Sequence, residues 1–214
     1  MLLNDQLSRR WIKLGILCGL LEGFIYPALI FIPLPELVQV FLIMLFGPLL
    51  AFSSAGLYHF IVLNKKSLAA ISALVSNIIA GVLITTMLLV QVAIRSTRPS
   101  EIDEASKWIW KSINQVHLGL DVVWDVYIFF GTLLFAISMF NHPKLGKIIS
   151  LTGIIIALLL IVLNAIPFPV PPTDAGLFDM GPIVGLWYLV VTILIIVNLK
   201  WVDEKLISNK NQIE

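Results

Sequence analysis

The chain has 214 residues, of which 59% are hydrophobic and 13% are charged, and its formal net charge is +1. Soluble domains are about 45–50% apolar and about 25% charged, so charges this sparse cannot cover a water-facing surface of this size. The mean hydropathy of +0.98 indicates a bilayer as the solvent. The small net charge excludes a basic field for nucleic acid, and the single cysteine excludes an intrachain disulfide.

Six apolar stretches are long enough to cross a bilayer, which requires about 20 mostly apolar residues. They are residues 11–33, 37–63, 69–94, 117–140, 146–167 and 182–201. Proline, asparagine or basic residues follow most of them and act as stop signals. We therefore predict an all-α polytopic membrane protein, with six transmembrane helices in a single domain over residues 1–214.

The distribution of lysine and arginine predicts the orientation, since cytoplasmic loops are enriched in both. With the N-terminus in the cytoplasm, ten of the 14 basic residues lie on the inner side. The four on the outer side are Arg95, Arg98, Lys107 and Lys111. This bias predicts that both termini face the cytoplasm.

Two outer connections have a composition of their own. Residues 100–113 carry acidic residues first and then tryptophan and lysine, which predicts a short interfacial helix on the membrane surface. Residues 167–182 are rich in proline and glycine. We expect this second segment to fold back over the helix bundle as a lid.

Ionisable side chains inside a span are costly and usually face the bundle interior, so they indicate where a site lies. In the fourth span, His117, Asp121 and Asp125 fall within about 80° of one another on a helical projection. Trp124 lies on the same stripe. The i, i+4 spacing allows His117 and Asp121 to touch.

The first span contributes an acidic residue and a glycine repeat. Glu22 lies near mid-depth, and Tyr26 follows one turn further out. Gly15, Gly19 and Gly23 recur every four residues, so a neighbouring helix can approach closely at this face. The same face is also a candidate contact for a homo-oligomer.

Three interpretations of these polar residues remain open. The first is an outward-facing acidic pocket for a cation, a proton or a small ligand, serving transport or sensing. Its predicted ligand-binding residues are Glu22, Tyr26, His117, Asp121, Trp124, Asp125 and Asn164. The sequence names no cofactor.

The second interpretation is an intramembrane metal-dependent hydrolase, with His117, Asp121 and Asp125 as candidate metal ligands. Glu22 is the alternative to Asp125 as the third ligand or as a base. The third is purely structural. In that case His117 pairs with Asp121, and Asp125 bonds either to neighbours on the side of Trp124 or to Asn164. Glu22 is then protonated or bonded to Tyr26, and such pairs lock the helices together by about 0.6 kcal/mol each.

Several motifs resemble uncharacterised bacterial multi-pass membrane proteins that share a domain of unknown function. They are FIPLPELV at 31–38, GLYH at 56–59, DVVWD at 121–125, HPKLGK at 142–147 and the segment from Pro169 to Tyr188. The resemblance extends over nearly the whole chain. It implies a location in the bacterial cytoplasmic membrane and transfers no activity.

Overall fold

The computed structural model describes residues 2–99 and 103–211, and within them it contains helices, turns and loops but no strand. The α-helices are α1 (Leu2–Phe31), α2 (Glu36–Val62), α3 (Leu68–Thr97), α4 (Lys107–Met139), α5 (Gly146–Leu160), α6 (Gly181–Val197) and α7 (Leu199–Asn211). A π-helical turn, Ile161–Ala165, continues α5. The all-α architecture is confirmed.

Five of the helical segments are long and apolar enough to span a membrane by themselves. A sixth span exists if α6 and the first ten residues of α7 are counted together, although they are bent by 59°. The chain is therefore a polytopic membrane protein with five or six spans. The predicted sixth span, 182–201, is broken by this bend.

The bend between α6 and α7 lies at Asn198, whose backbone leaves the helical region at φ −102° and ψ 17°. The Asn198 side-chain amide donates to the Leu194 carbonyl at 2.8 Å. Asparagine competes in this way for backbone groups and is a poor residue for the interior of a helix. The polar sequence of α7 then turns across the end of the bundle, where Val202 is buried.

The helices pack in chain order, and α1 closes the bundle by packing against α6. Small residues set the closest approach, because a Cβ atom at Gly15 would lie 2.5 Å from the Cα atom of Gly56 in α2. The other two members of the glycine repeat, Gly19 and Gly23, face Thr192 and Leu189 of α6. The glycine face that we considered for an oligomer contact is thus occupied within the chain.

A hydrogen-bonded cluster of four polar side chains joins four helices deep in the bundle. The Asn77 amide of α3 donates to the Ser54 hydroxyl of α2 and to the Tyr188 hydroxyl of α6, each at 2.8 Å. Thr132 of α4 donates to the same Tyr188 hydroxyl at 3.2 Å. We call Ser54, Asn77, Thr132 and Tyr188 the deep cluster. All four residues are buried.

The predicted interfacial helix over 100–113 is not a separate element in the part of the chain that the structure describes. Residues 107–113 form the first turns of α4 and continue into the span, because no proline or glycine interrupts the helix between Lys107 and His117. Residues 103–106 form a turn, in which the Asp103 carboxylate accepts from the Ser106 backbone N–H at 2.8 Å. Residues 100–102 lie outside the described residues.

The proline-rich segment 167–182 is an irregular run of turns that leads into the start of α6. Its backbone turns back on itself, since the Leu177 N–H donates to the Pro172 carbonyl at 2.7 Å. Met180, at its end, is buried. The segment therefore lies against the end of the bundle opposite both termini, where the polar residues of the predicted site also lie.

Candidate functional site

A cavity of about 460 Å³ lies at the end of the bundle opposite both termini. Residues of α1, α2, α3, α4 and the segment before α6 line it. Its polar lining consists of Tyr26, Gln39, Gln91, Arg95, Asp121 and Asp179. We call this cavity the vestibule.

Two carboxylates and one guanidinium carry the formal charges of the vestibule. Asp121 of α4 and Asp179 of the segment before α6 are half-buried, whereas Arg95 of α3 is exposed. Arg95 therefore marks the mouth of the cavity. Among residues 2–99 and 103–211, none of these three side chains forms an ion pair with another.

Asp179 is held in place by two hydrogen bonds to one carboxylate oxygen. Its Oδ1 atom accepts from the Asn164 side-chain amide and from the Gly181 backbone N–H, each at 2.9 Å. Gly181 is the first residue of α6, so this second bond supplies an acceptor to one of the backbone N–H groups that have no helical partner. The segment before α6 thus delivers a fixed carboxylate to the vestibule.

Asn164 organises this corner because it lies on the π-helical turn that follows α5. Its side-chain oxygen accepts from the Met180 backbone N–H at 3.0 Å. Its amide nitrogen is 3.5 Å from Oδ1 of Asp125, which is only 1% exposed. Asp125 therefore does not line the vestibule but contacts Asn164, which holds Asp179 there. Of the partners considered for Asp125, Asn164 is the one in contact, at a long distance.

A second cavity, of about 230 Å³, adjoins the vestibule on the side of α1 and α6. Its lining is mainly apolar and includes the acidic residue Glu22 of α1. Tyr26 and Trp124 line both cavities and therefore lie between them. The Trp124 indole nitrogen is buried and has no hydrogen-bond partner among the described residues. We call the second cavity the lateral chamber.

His117 does not join this arrangement. Its ring is buried, and Nε2 lies 3.3 Å from the sulfur of Met87 in α3. No hydrogen bond or ion pair joins His117 to Asp121 among the described residues, so the predicted i, i+4 pair is not formed. The packing of α3 against α4 places Met87 beside the imidazole, which contacts the Met87 sulfur instead of the carboxylate one turn further on.

The three candidate metal ligands have three different surroundings. His117 faces Met87, Asp121 faces the vestibule, and Asp125 faces Asn164. Across residues 2–99 and 103–211, no group of three or more histidine, cysteine, aspartate or glutamate side chains is arranged to hold a metal ion.

The structure adds four polar vestibule residues that the sequence-based set omits, namely Gln39, Gln91, Arg95 and Asp179. Arg95 counts as a loop charge in the topology, although its side chain lines the cavity. Asp179 lies two residues before the first residue of α6, and an acidic residue just before an apolar run is the signal that sequence reasoning could have used. Gln39 lies in the first turn of α2 and offers no such signal.

Comparison with known proteins gives no relative from which a role could be transferred. No family model, no curated protein and no solved structure matches the chain. The resemblance to bacterial multi-pass proteins stays an expectation, and any function has to be argued from the geometry of the two cavities.

Proposed function

We propose that the protein binds a small organic cation in the vestibule, as the recognition step of transport or sensing. The observation that carries this proposal is the shared lining of the cavity, in which Asp121 and Asp179 meet the aromatic rings of Tyr26 and Trp124. Carboxylates supply the counter-charge for an ammonium group, and aromatic faces attract cations by about 0.5–2 kcal/mol.

Volume and charge both suit a small ligand of this class. Ligand pockets typically measure about 300–1,000 Å³, and the vestibule measures about 460 Å³. Two carboxylates and one guanidinium leave a formal excess of one negative charge. A monovalent cation would neutralise this excess without a further protein group.

The proposed direction of access is from the outer side of a bacterial cytoplasmic membrane. The vestibule lies at the end of the bundle opposite both termini, and the basic residues favour cytoplasmic termini. The resemblance in the sequence implies the same membrane. Arg95 at the mouth would lie near the outer headgroups.

The test uses methylammonium as the probe and the thermal unfolding of the detergent-purified protein as the readout. At ten times its Kd the ligand should raise the unfolding midpoint by about 3–5 °C. Asp121→Asn should abolish this rise, because it removes a carboxylate that lines the vestibule. Asp174→Asn is the control for the loss of one carboxylate, since Asp174 is exposed in the proline-rich segment 167–182 and lines neither cavity.

Equal stabilisation of the wild type and of Asp121→Asn would contradict the proposal, and so would the absence of any stabilisation by methylammonium. Sodium at the same ionic strength controls for screening of charges. A stabilisation that sodium reproduces would indicate a general salt effect instead of ammonium recognition.

A further inference from the structure

The lateral chamber carries an inference that is separate from the vestibule proposal. Its lining comes from α1, α2, α3, α4 and α6, and its exposed members belong to α1 and α6. Phe31 of α1 is 80% exposed and Leu186 of α6 is 55% exposed. The opening of the chamber therefore lies between α1 and α6, on the perimeter of a bundle whose surroundings are hydrocarbon.

The absence of a side chain at Gly185 leaves space at this opening. A Cβ atom added to Gly185 of α6 would meet no heavy atom within 4 Å, although the residue lines the chamber. Pro27, in α1 across the opening, removes a backbone N–H donor from the helix. The gap between the two helices is thus not filled by side chains of the described residues.

Glu22 is the one charged residue among the described residues that line the chamber. It lies nine residues before Phe31, which places it about 14 Å along the helix from the end of α1. No basic residue lines the chamber, and no described residue hydrogen-bonds to the Glu22 carboxyl group. An ionised carboxylate at this depth is costly unless a partner neutralises it, and no described residue supplies that partner. Without a partner the carboxyl group takes up a proton, and a cation that enters from outside the fold can replace this proton.

The positions of the Tyr26 and Trp124 side chains indicate the side from which that partner enters. Tyr26 and Trp124 separate Glu22 from the vestibule, whereas the gap between α1 and α6 faces the lipid. A ligand that uses this gap must be soluble in hydrocarbon and must carry a cationic group.

From these contacts we infer that the lateral chamber binds an amphipathic ammonium compound that enters from the bilayer between α1 and α6. The ammonium group pairs with the Glu22 carboxylate. The hydrocarbon chain extends past Pro27 and Leu186 toward the lipid. The vestibule and the chamber are then two sites with different routes of access, one from water and one from the membrane.

The experiment measures modification of Glu22 by dicyclohexylcarbodiimide, an apolar reagent that reacts with protonated carboxyl groups. The full-length protein is held in phosphatidylcholine nanodiscs, and the peptide containing Glu22 is followed by mass spectrometry. Glu22→Gln controls the assignment of the modified residue. We expect the apolar reagent to modify Glu22 and a water-soluble carbodiimide to leave it unmodified.

Ligand class is tested by protection in the wild-type protein. At ten times its Kd, dodecyltrimethylammonium should occupy about nine-tenths of the sites and slow the modification about tenfold. Dodecanol lacks the charge and tetramethylammonium lacks the chain, so neither should protect Glu22. Protection by dodecanol as strong as that by the ammonium compound would overturn the inference, and so would the absence of protection by the ammonium compound.

The route of access is tested by filling the gap. Gly185→Phe should slow the modification of Glu22, because the added ring projects into the chamber. Gly119→Phe is the matched control, since Gly119 also has open space around it but lines neither cavity. Modification of Glu22 by the water-soluble reagent alone would place its access in the vestibule and would contradict entry from the lipid, whatever the behaviour of the two variants.

Discussion

The deep cluster and the vestibule both assemble polar side chains from several helices, yet they treat those side chains in opposite ways. In the deep cluster, Asn77 donates to Ser54 and to Tyr188 at 2.8 Å, and no cavity separates the partners. In the vestibule, Asp121 faces a space of about 460 Å³ and has no hydrogen-bond partner among the described residues. In the deep cluster the polar side chains bond to one another and hold the helices together. In the vestibule the Asp121 carboxylate remains free to bind a ligand.

This difference separates structural polarity from functional polarity inside one membrane domain. Buried polar groups in proteins are normally satisfied by one another. In the deep cluster the Asn77 amide nitrogen and the three hydroxyl groups follow this rule, and only the Asn77 side-chain oxygen has no partner among the described residues. A carboxylate that lines a cavity and has no protein partner is costly, and it is expected where a ligand supplies the missing contact. Substitutions in the two regions should therefore differ in the property that they change.

The largest expected effect is on the packing of the deep cluster. A Cβ atom at Gly131 would lie 1.6 Å from Oδ1 of Asn77, which is itself fixed by two hydrogen bonds. Gly131→Ala should destabilise the protein by about 3 kcal/mol, measured by thermal or denaturant unfolding in detergent. Gly119→Ala, in open space on the same helix, should change stability by less than about 0.5 kcal/mol.

A double variant sharpens this prediction. Asn77→Ala removes the atom with which the new methyl group collides, so Gly131→Ala should cost little more in that background. If Gly131→Ala destabilised the Asn77→Ala protein as strongly as it does the wild type, the collision with Asn77 would not be the cause of the lost stability.

The next effect concerns a closed cluster at the end of the bundle that carries the termini. His142, in the connection between α4 and α5, is buried between Phe60 and Trp201, with ring centroids 5.1 and 5.2 Å away. Burial lowers the pKa of His142 from 6.5 to about 4, and a weaker interaction with the Phe60 carbonyl opposes this shift. The folded protein thus holds the imidazole neutral.

Because the pKa of His142 is lowered, the unfolded chain binds more protons than the folded one between pH 6.5 and about 4. The resulting stability is fully present above pH 6.5 and is lost as the pH falls toward 4, by about 3 kcal/mol in total. His142→Phe keeps the aromatic packing and should remove this part of the pH dependence. Identical pH profiles for the wild type and the variant would show that His142 is not held neutral.

The two carboxylates of the vestibule, Asp179 and Asp121, should differ in how much their removal lowers the stability of the protein. Asp179→Ala leaves the Asn164 amide and the Gly181 N–H without an acceptor and should cost about 2 kcal/mol of stability. Asp121→Ala breaks no hydrogen bond among the described residues and should change stability by less than about 0.5 kcal/mol. Equal losses in the two variants, measured by unfolding in the same detergent, would mean that Asp121 is also a structural residue.

The smallest effect is expected at the surface. Arg9 and Asp203 form an ion pair of 2.9 Å between α1 and α7, with about half of each side chain exposed to solvent. Exposed pairs contribute about 0.2–1 kcal/mol and are screened by salt. Arg9→Ala should lower stability by about 0.5 kcal/mol in low salt and by less in 1 M salt, and a loss that grows with salt would contradict this assignment.

Hydropathy was sufficient to predict the architecture, because a bilayer requires helices of known length and the sequence marks their ends. The stripe containing Asp121, Trp124 and Asp125 also follows from helical periodicity alone. The break at Asn198 was not predicted, since an asparagine near the end of an apolar run is equally typical of an interfacial residue. The π-helical turn at Asn164 has no simple sequence signal either.

The membership of the site was harder to predict than its location. His117 shares the stripe of Asp121, but the packing of α3 turns its ring onto Met87, and a helical projection contains no information about the neighbouring helix. Asp179 enters the vestibule from a connection, where periodicity gives no direction for a side chain, and Arg95 lies in the last turn of α3, where its charge is equally typical of a residue at the membrane surface. These outcomes depend on tertiary contacts between segments distant in the sequence.

Accessibility of single cysteines tests the central claim most directly, namely that Asp121 faces a water-filled vestibule on the outer side. Cys18 is the only cysteine, so Cys18→Ala gives a background without thiols. In that background, Asp121→Cys should react with a charged, membrane-impermeant thiosulfonate added to intact cells, whereas Asn77→Cys in the deep cluster should not. A lack of reaction at Asp121→Cys, or reaction only from the cytoplasmic side of inverted vesicles, would contradict the account.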